Sequence, residues 1–171
     1  MPLIVMVGIP CSGKTTRATQ ISEFLQKECK QEVQIINEEF LGLSKAEFLV
    51  SPQQEKILRA SLKSNVEKYI NSQRVVIIDS MNYFKSFRYE LYCLARNAQT
   101  TLCLVWCDTD REVAGKIAAE GAYENPFPAD LFEDFANRLE TPNQGKRWDK
   151  PLFQLRTEEE LPFDEIVQAC L

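Results

Sequence analysis

The chain has 171 residues, of which 44% are hydrophobic and 26% charged, with a formal net charge of −5. That length holds one domain with a substantial core rather than two, and the acidic balance excludes a protein that clamps nucleic acid by overall charge. The absence of histidine removes the usual general base and the commonest zinc ligand, so chemistry must rest on carboxylates, Lys, Arg or a bound metal.

In chain order, the apolar run 3–7 reads as a strand buried on both faces. It leads into Gly8-Ile9-Pro10-Cys11-Ser12-Gly13-Lys14-Thr15, which fits G-x-x-x-x-G-K-S/T at every fixed position and predicts a phosphate-binding P-loop. Glycines let such a loop wrap tightly, so that backbone N–H groups converge on phosphate oxygens. Lys14 is expected on the β- and γ-phosphates, Thr15 on Mg²⁺ and Thr16 on the α-phosphate. Gly8, Pro10, Cys11, Ser12 and Gly13 complete the cradle. Cys11, close to a helix start, is also a candidate for a lowered thiol pKa and redox regulation.

Ala18, Ile21 and Leu25 then recur at helical spacing. A second strand at 33–36 ends in Asn37-Glu38-Glu39. A carboxylate there, at the edge where ligands bind in α/β sheets, could orient an attacking hydroxyl or water; the alternative is an acidic pair favoured by a helix dipole. Leu58, Leu62, Val66 and Tyr69 mark the next helix. The strand 75–78 ends in Asp79, the Walker B pattern, which places a carboxylate to hold Mg²⁺.

Residues 83–89 (YFKSFRY) mix bases with aromatics. They read either as phosphate or RNA contacts or as core aromatics with solvated bases, and the second reading is favoured from the residues alone. Phe87, Leu91, Leu94 and Ala98 give a helix, and 102–107 a fourth strand. Thr109-Asp110-Arg111-Glu112 matches a capping box, starting a helix. Residues 121–128 read as a loop, Leu131, Phe135 and Leu139 as a helix, 145–150 (GKRWDK) as a second basic-aromatic stretch, 152–155 as a strand and 163–171 as a helix after Pro162.

Alternating strands and helices predict an α/β, three-layer α/β/α fold with a mostly parallel sheet of about five strands. The six cysteines form no C-x-x-C pair, and Cys103 and Cys107 lie within an apolar run; buried reduced thiols in a cytosolic protein are expected. No apolar run is long enough to span a membrane, and no signal peptide is evident.

Three segments taken in order, GIPCSGKTT, DSMNYFKSFRYELYCLAR and NRLETPNQGKRWDKPLF, resemble the Elongator-associated ATPases of the killer-toxin-insensitivity family, relatives of phosphoseryl-tRNA kinase. The resemblance covers nearly the whole chain. It implies an adenylate-kinase-like P-loop NTPase sheet with the Walker B strand beside the P-loop strand, and cofactors ATP and Mg²⁺. It further implies hydrolysis stimulated by tRNA, in support of Elongator's modification of the tRNA wobble uridine, in the cytoplasm and also the nucleus.

On these residues Lys14, Thr15 and Asp79 match the nucleotide and Mg²⁺ positions, with Thr15 and Asp79 the metal ligands. Glu38 falls where the family carries an acidic residue, Asp in the kinase. Lys14, Glu38, Asp79 and Arg88 are thus the expected catalytic set, and Lys85 and Arg147 gain weight as functional cations. The related kinases carry R-x-x-x-R in a lid over the phosphates; Lys116 and Glu120 stand there in this chain, within a lid at 108–128. That weakens phosphotransfer more than slow hydrolysis. The family's C-terminal tRNA-binding domain is expected to lie outside this chain, leaving residues 1–171 as the P-loop ATPase domain. The competing readings are a kinase acting on an aminoacyl-tRNA or a small hydroxyl compound, and a non-catalytic nucleotide-binding module.

Overall fold

A computed structural model describes residues 2–42, 51–70, 73–120 and 129–170. The strands are β1 (Leu3–Val7), β2 (Glu32–Ile36), β3 (Arg74–Asp79), β4 (Leu102–Asp108) and β5 (Leu152–Arg156). The helices are α1 (Lys14–Lys27), α2 (Pro52–Tyr69), α3 (Lys85–Asn97), α4 (Arg111–Glu120), α5 (Ala129–Arg138) and α6 (Phe163–Cys170). All five strands are parallel, in the order β2-β3-β1-β4-β5. The expected strands are present with ends shifted by a residue or so, and β3 does lie beside β1.

Period-two alternation divides β1 between two layers. Leu3, Val5 and Val7 pack with Leu58, Leu62, Val66, Phe87 and Leu91 of α2 and α3. Ile4 and Met6 pack with Ala18, Ile21 and Leu25 of α1 and Ile166 of α6. Every residue of β1 is fully buried, which explains its unbroken apolar run. A third cluster joins Ile9 and Cys11 of the glycine-rich loop to Tyr83, Ala114, Ala118, Phe132 and Phe135, so the loop is backed by packed side chains from α4 and α5.

Local chemistry sets the helix ends. Ser51 accepts the Gln54 N–H at 3.2 Å, and Pro52 opens α2, where a missing N–H costs nothing. The capping-box expectation needs correction. The helix starts where expected, but Asp110 is its cap, its Oδ1 accepting the Glu112 N–H at 2.9 Å. The Thr109 hydroxyl instead donates to the Ser12 carbonyl at 3.0 Å. The α3 stripe is also corrected at its end: Ala95 is buried, whereas Ala98 is the exposed C-cap residue. The expected loop at 121–128, and with it part of the expected lid, lies outside the described residues. Among the described residues the six cysteines form no disulfide, and no helix is long and apolar enough to cross a membrane.

Candidate active site

The sheet order reverses direction at β1, and the loop after β1 therefore sits at the topological switch point, where α/β sheets bind ligands. Cys11 (φ 61°) and Gly13 (φ 85°) take left-handed conformations within it. Such interleaving turns successive N–H groups to one side and forms an anion-binding concavity. Gly8 is required by space: a Cβ there would lie 2.5 Å from Ser12 Oγ and 3.0 Å from the Cys107 carbonyl. Gly8, Pro10, Cys11 and Ser12 are buried, while Gly13, Thr15 and Thr16 face outward. Cys11 thus packs inward, against the α4–α5 cluster.

Lys14, half-buried, arches back over the loop, its Nζ donating to the Ile9 carbonyl at 2.7 Å and reaching Ser12 Oγ at 3.5 Å. Burial pushes its ammonium below the ordinary lysine range, against the pull of Cys107, Asp79 and Glu38 toward the charged form. The arrival of phosphate would add negative charge and favour the protonated amine.

Asp79 ends β3, one strand away, and is 4% exposed. Burial raises its pKa; hydrogen bonds from Thr15 and Asn37 and the charge of Lys14 act the other way. Thr15 and Asp79, the two expected metal ligands, thus lie side by side. Glu38 is brought to the same place by the turn after β2. Ser80 donates to its Oε1 at 2.7 Å. Burial raises the Glu38 pKa, the Ser80 bond opposes the rise, and Asp79 adds like-charge repulsion. Its neighbour Glu39 is exposed. Asn37 closes the turn, accepting the Phe40 N–H at 2.8 Å.

Hard oxygen donors side by side at a phosphate cradle suit Mg²⁺, which keeps waters and phosphate oxygens in its shell and needs only one or two protein ligands. No group of three or more His, Cys, Asp or Glu poised for metal occurs among the described residues. A groove of about 730 Å³ extends from the loop along α1, past Ser12, Gly13, Thr16, Thr109, Ile117 and Thr157. That volume lies within the range of small-molecule sites. Arg17 fixes its far wall, donating to the carbonyls of Arg156 at 2.6 Å and Glu159 at 3.1 Å.

Arg88 is a correction. Its side chain is fully buried, with Nε on Asp149 Oδ1 at 2.9 Å, Nη1 on the Asn82 carbonyl and Nη2 on the Glu140 carbonyl, both at 2.7 Å. All three nitrogens are committed within the fold: Nε and Nη2 hold α3 against the segment before β5, and Nη1 holds the loop between β3 and α3. The favoured reading of 83–89 was right for Tyr83 and Phe87, which are core, and wrong for this base. Lys85, Arg147, Lys116 and Glu120 are exposed. Sequence reasoning also missed the roles that Ser80, Asn37, Arg17 and Thr109 take here. Ser80 stood next to the Walker B aspartate and was the most legible of them; the others act through pairings distant in sequence.

The family described as "Chromatin associated protein KTI12" matches residues 1–171. The chain belongs to the KTI12 family. It is 38% identical over 169 residues to the KTI12 homologue of Xenopus laevis, covering 99% of this chain and 61% of that protein. Against KTI12 of Saccharomyces cerevisiae it is 33% identical over 177 residues, covering 99% and 56%. The chain therefore spans about three fifths of the length of its KTI12 relatives. The crystal structure of Chaetomium thermophilum Kti12 in complex with ADP-AlF3 superposes with a TM-score of 0.88 at 34% identity, covering 99% of this chain and 100% of that one. An APS kinase from Mycobacterium tuberculosis shares the fold at a TM-score of 0.62 and 15% identity, covering 98% and 93%. The P-loop kinase-like α/β architecture and the family expected from the sequence are both correct.

Proposed function

We propose that this KTI12-family chain is a Mg²⁺-dependent ATPase domain, and that it serves an Elongator accessory factor whose hydrolysis is stimulated by tRNA. The observation that carries the catalytic part is the convergence of Lys14, Thr15, Asp79 and Glu38 from three chain segments beside the glycine-rich loop. The nucleotide-bound Kti12 relative supports a nucleotide as the ligand. The Elongator and tRNA parts rest on the resemblance of the three sequence segments.

The loop N–H groups and Lys14 hold the β- and γ-phosphates and offset the charge that accumulates on the bridging oxygen as the γ-phosphoryl group leaves. Thr15 and Asp79 would hold Mg²⁺, which supplies charge neutralisation to the phosphates. Glu38, fixed by Ser80, orients water in line with the departing group. Its raised pKa makes it a more competent proton acceptor than an exposed carboxylate. Ile117 and the wall fixed by Arg17 line the remainder of the groove, where the nucleoside would lie.

The test follows γ-labelled ATP incubated with the chain, Mg²⁺ and bulk tRNA including seryl-tRNA. Label released as inorganic phosphate supports hydrolysis. Label transferred to RNA or a small hydroxyl compound would replace this reading with a kinase, and tight binding without turnover would replace it with a nucleotide-binding module.

A further inference from the structure

The two basic-aromatic stretches, separate in sequence, touch where Tyr89, the last residue of the first, meets Trp148 of the second. The buried Arg88–Asp149 pair clamps α3 to the turn before β5. That clamp sets Tyr89 edge-on to Trp148 at 5.4 Å between centroids and 6.2 Å from Tyr92, with Lys146 Nζ 5.9 Å above the Trp148 ring. Beside this aromatic row runs a groove of about 720 Å³ where β4 and β5 begin, lined by Tyr92, Arg96, Gln144, Arg147 and Lys150 among others. No Asp or Glu lines it among the described residues.

The chain as a whole carries 25 acidic and 20 basic residues, so this local excess runs against the average. Arg96, Lys146, Arg147 and Lys150 are exposed, and none forms an ion pair among the described residues. Glu90 is the only carboxylate on α3, and Asp149 is spent on Arg88. Unpaired cations tracking a groove, with rings alongside, are the two components of sequence-tolerant single-strand binding: charge for the backbone and faces for the bases.

We propose that this groove is an RNA-binding surface, with Arg96, Arg147 and Lys150 on successive phosphates of an unpaired strand and Tyr89 and Tyr92 as the stacking faces. It deepens the tRNA-coupled reading, on which it rests for the identity of the RNA, and it gives the nucleotide domain an RNA contact of its own.

The test is fluorescence anisotropy with fluorescein-labelled bulk tRNA over a salt series. It compares the wild-type chain, the triple variant Arg96→Gln, Arg147→Gln, Lys150→Gln, and Tyr89→Ala. These are exposed positions, so folding is expected to survive, with thermal unfolding as the check. The triple variant should bind at least tenfold more weakly, and the slope of log affinity against log salt should fall by roughly two to three. Tyr89→Ala should weaken binding about fivefold or more with the salt slope unchanged. Hydrolysis without RNA should stay at the wild-type rate in both variants. Undiminished tRNA affinity in the triple variant, or no tRNA binding by the wild-type chain at low salt, would overturn the assignment. Binding through the groove without any acceleration of hydrolysis would remove the coupled reading and leave the groove's assignment standing.

Discussion

Arg88 and Asp149 form a buried ion pair at 2.9 Å, neither side chain exposed to solvent, that ties α3 to the turn preceding β5. The remaining polar atoms are satisfied as well: the Asn82 and Glu140 carbonyls accept from the guanidinium, and the Asn143 N–H donates to Asp149 Oδ2 at 3.0 Å. Removing one partner strands the other charge in the interior, which costs about 3–5 kcal/mol. Arg88→Ala should therefore lower stability by that amount in denaturant unfolding. Replacing both residues, as Arg88→Met with Asp149→Leu, should recover part of it. An Arg88→Ala chain as stable as the wild type but unable to hydrolyse ATP would restore Arg88 to the catalytic set.

Gly8→Ala tests the loop by volume alone. The added methyl meets Ser12 Oγ at 2.5 Å, which rotation can relieve, and the Cys107 carbonyl at 3.0 Å, which belongs to the β4 backbone. The loop must then lift from β4, and its N–H groups lose their common focus. Nucleotide affinity, measured by titration calorimetry, should fall at least tenfold, equivalent to about 1.4 kcal/mol or more. Unchanged affinity would contradict the geometry given for the cradle.

Thr109→Val removes the hydroxyl that donates to the Ser12 carbonyl. That leaves a buried acceptor unmet, at about 1–3 kcal/mol. The expected result is a lower unfolding midpoint together with a severalfold loss of nucleotide affinity. A loss of stability with affinity intact would mean that the bond serves the fold and not the loop.

The acid–base balance of the site gives a prediction with a definite sign. Burial raises the Glu38 pKa above the ordinary carboxylate range, so the folded chain holds this proton to higher pH than the unfolded chain does. The contribution of Glu38 to stability is fully present below the unfolded pKa and is lost as pH rises through the folded one. In the absence of nucleotide and Mg²⁺, Glu38→Gln should flatten the decline in melting temperature on going from the ordinary carboxylate range toward neutral pH. Identical pH slopes in the two chains would refute the burial account of Glu38.

Most of the fold was legible because the strands are buried on both faces and so read as unbroken apolar runs, and because Lys14, Thr15 and Asp79 lie at fixed offsets from strand ends. Arg88 was misassigned for a physical reason. A base within a basic-aromatic stretch reads as solvent-facing, and only the pairing with Asp149, 61 residues away, shows that its charge is consumed inside. Thr109 was likewise read through its local spacing as a cap, whereas its partner Ser12 is 97 residues distant. Contacts of that range leave no periodic trace.

The most direct test of the central claim is the steady-state release of inorganic phosphate from ATP by Lys14→Ala, beside the wild-type chain, at saturating Mg²⁺. Lys14 is held over the loop by its bond to the Ile9 carbonyl, and its loss should reduce turnover to the background rate while the fold, checked by circular dichroism, persists. Undiminished turnover in that variant would mean that the phosphates are not held by this loop and would contradict the account.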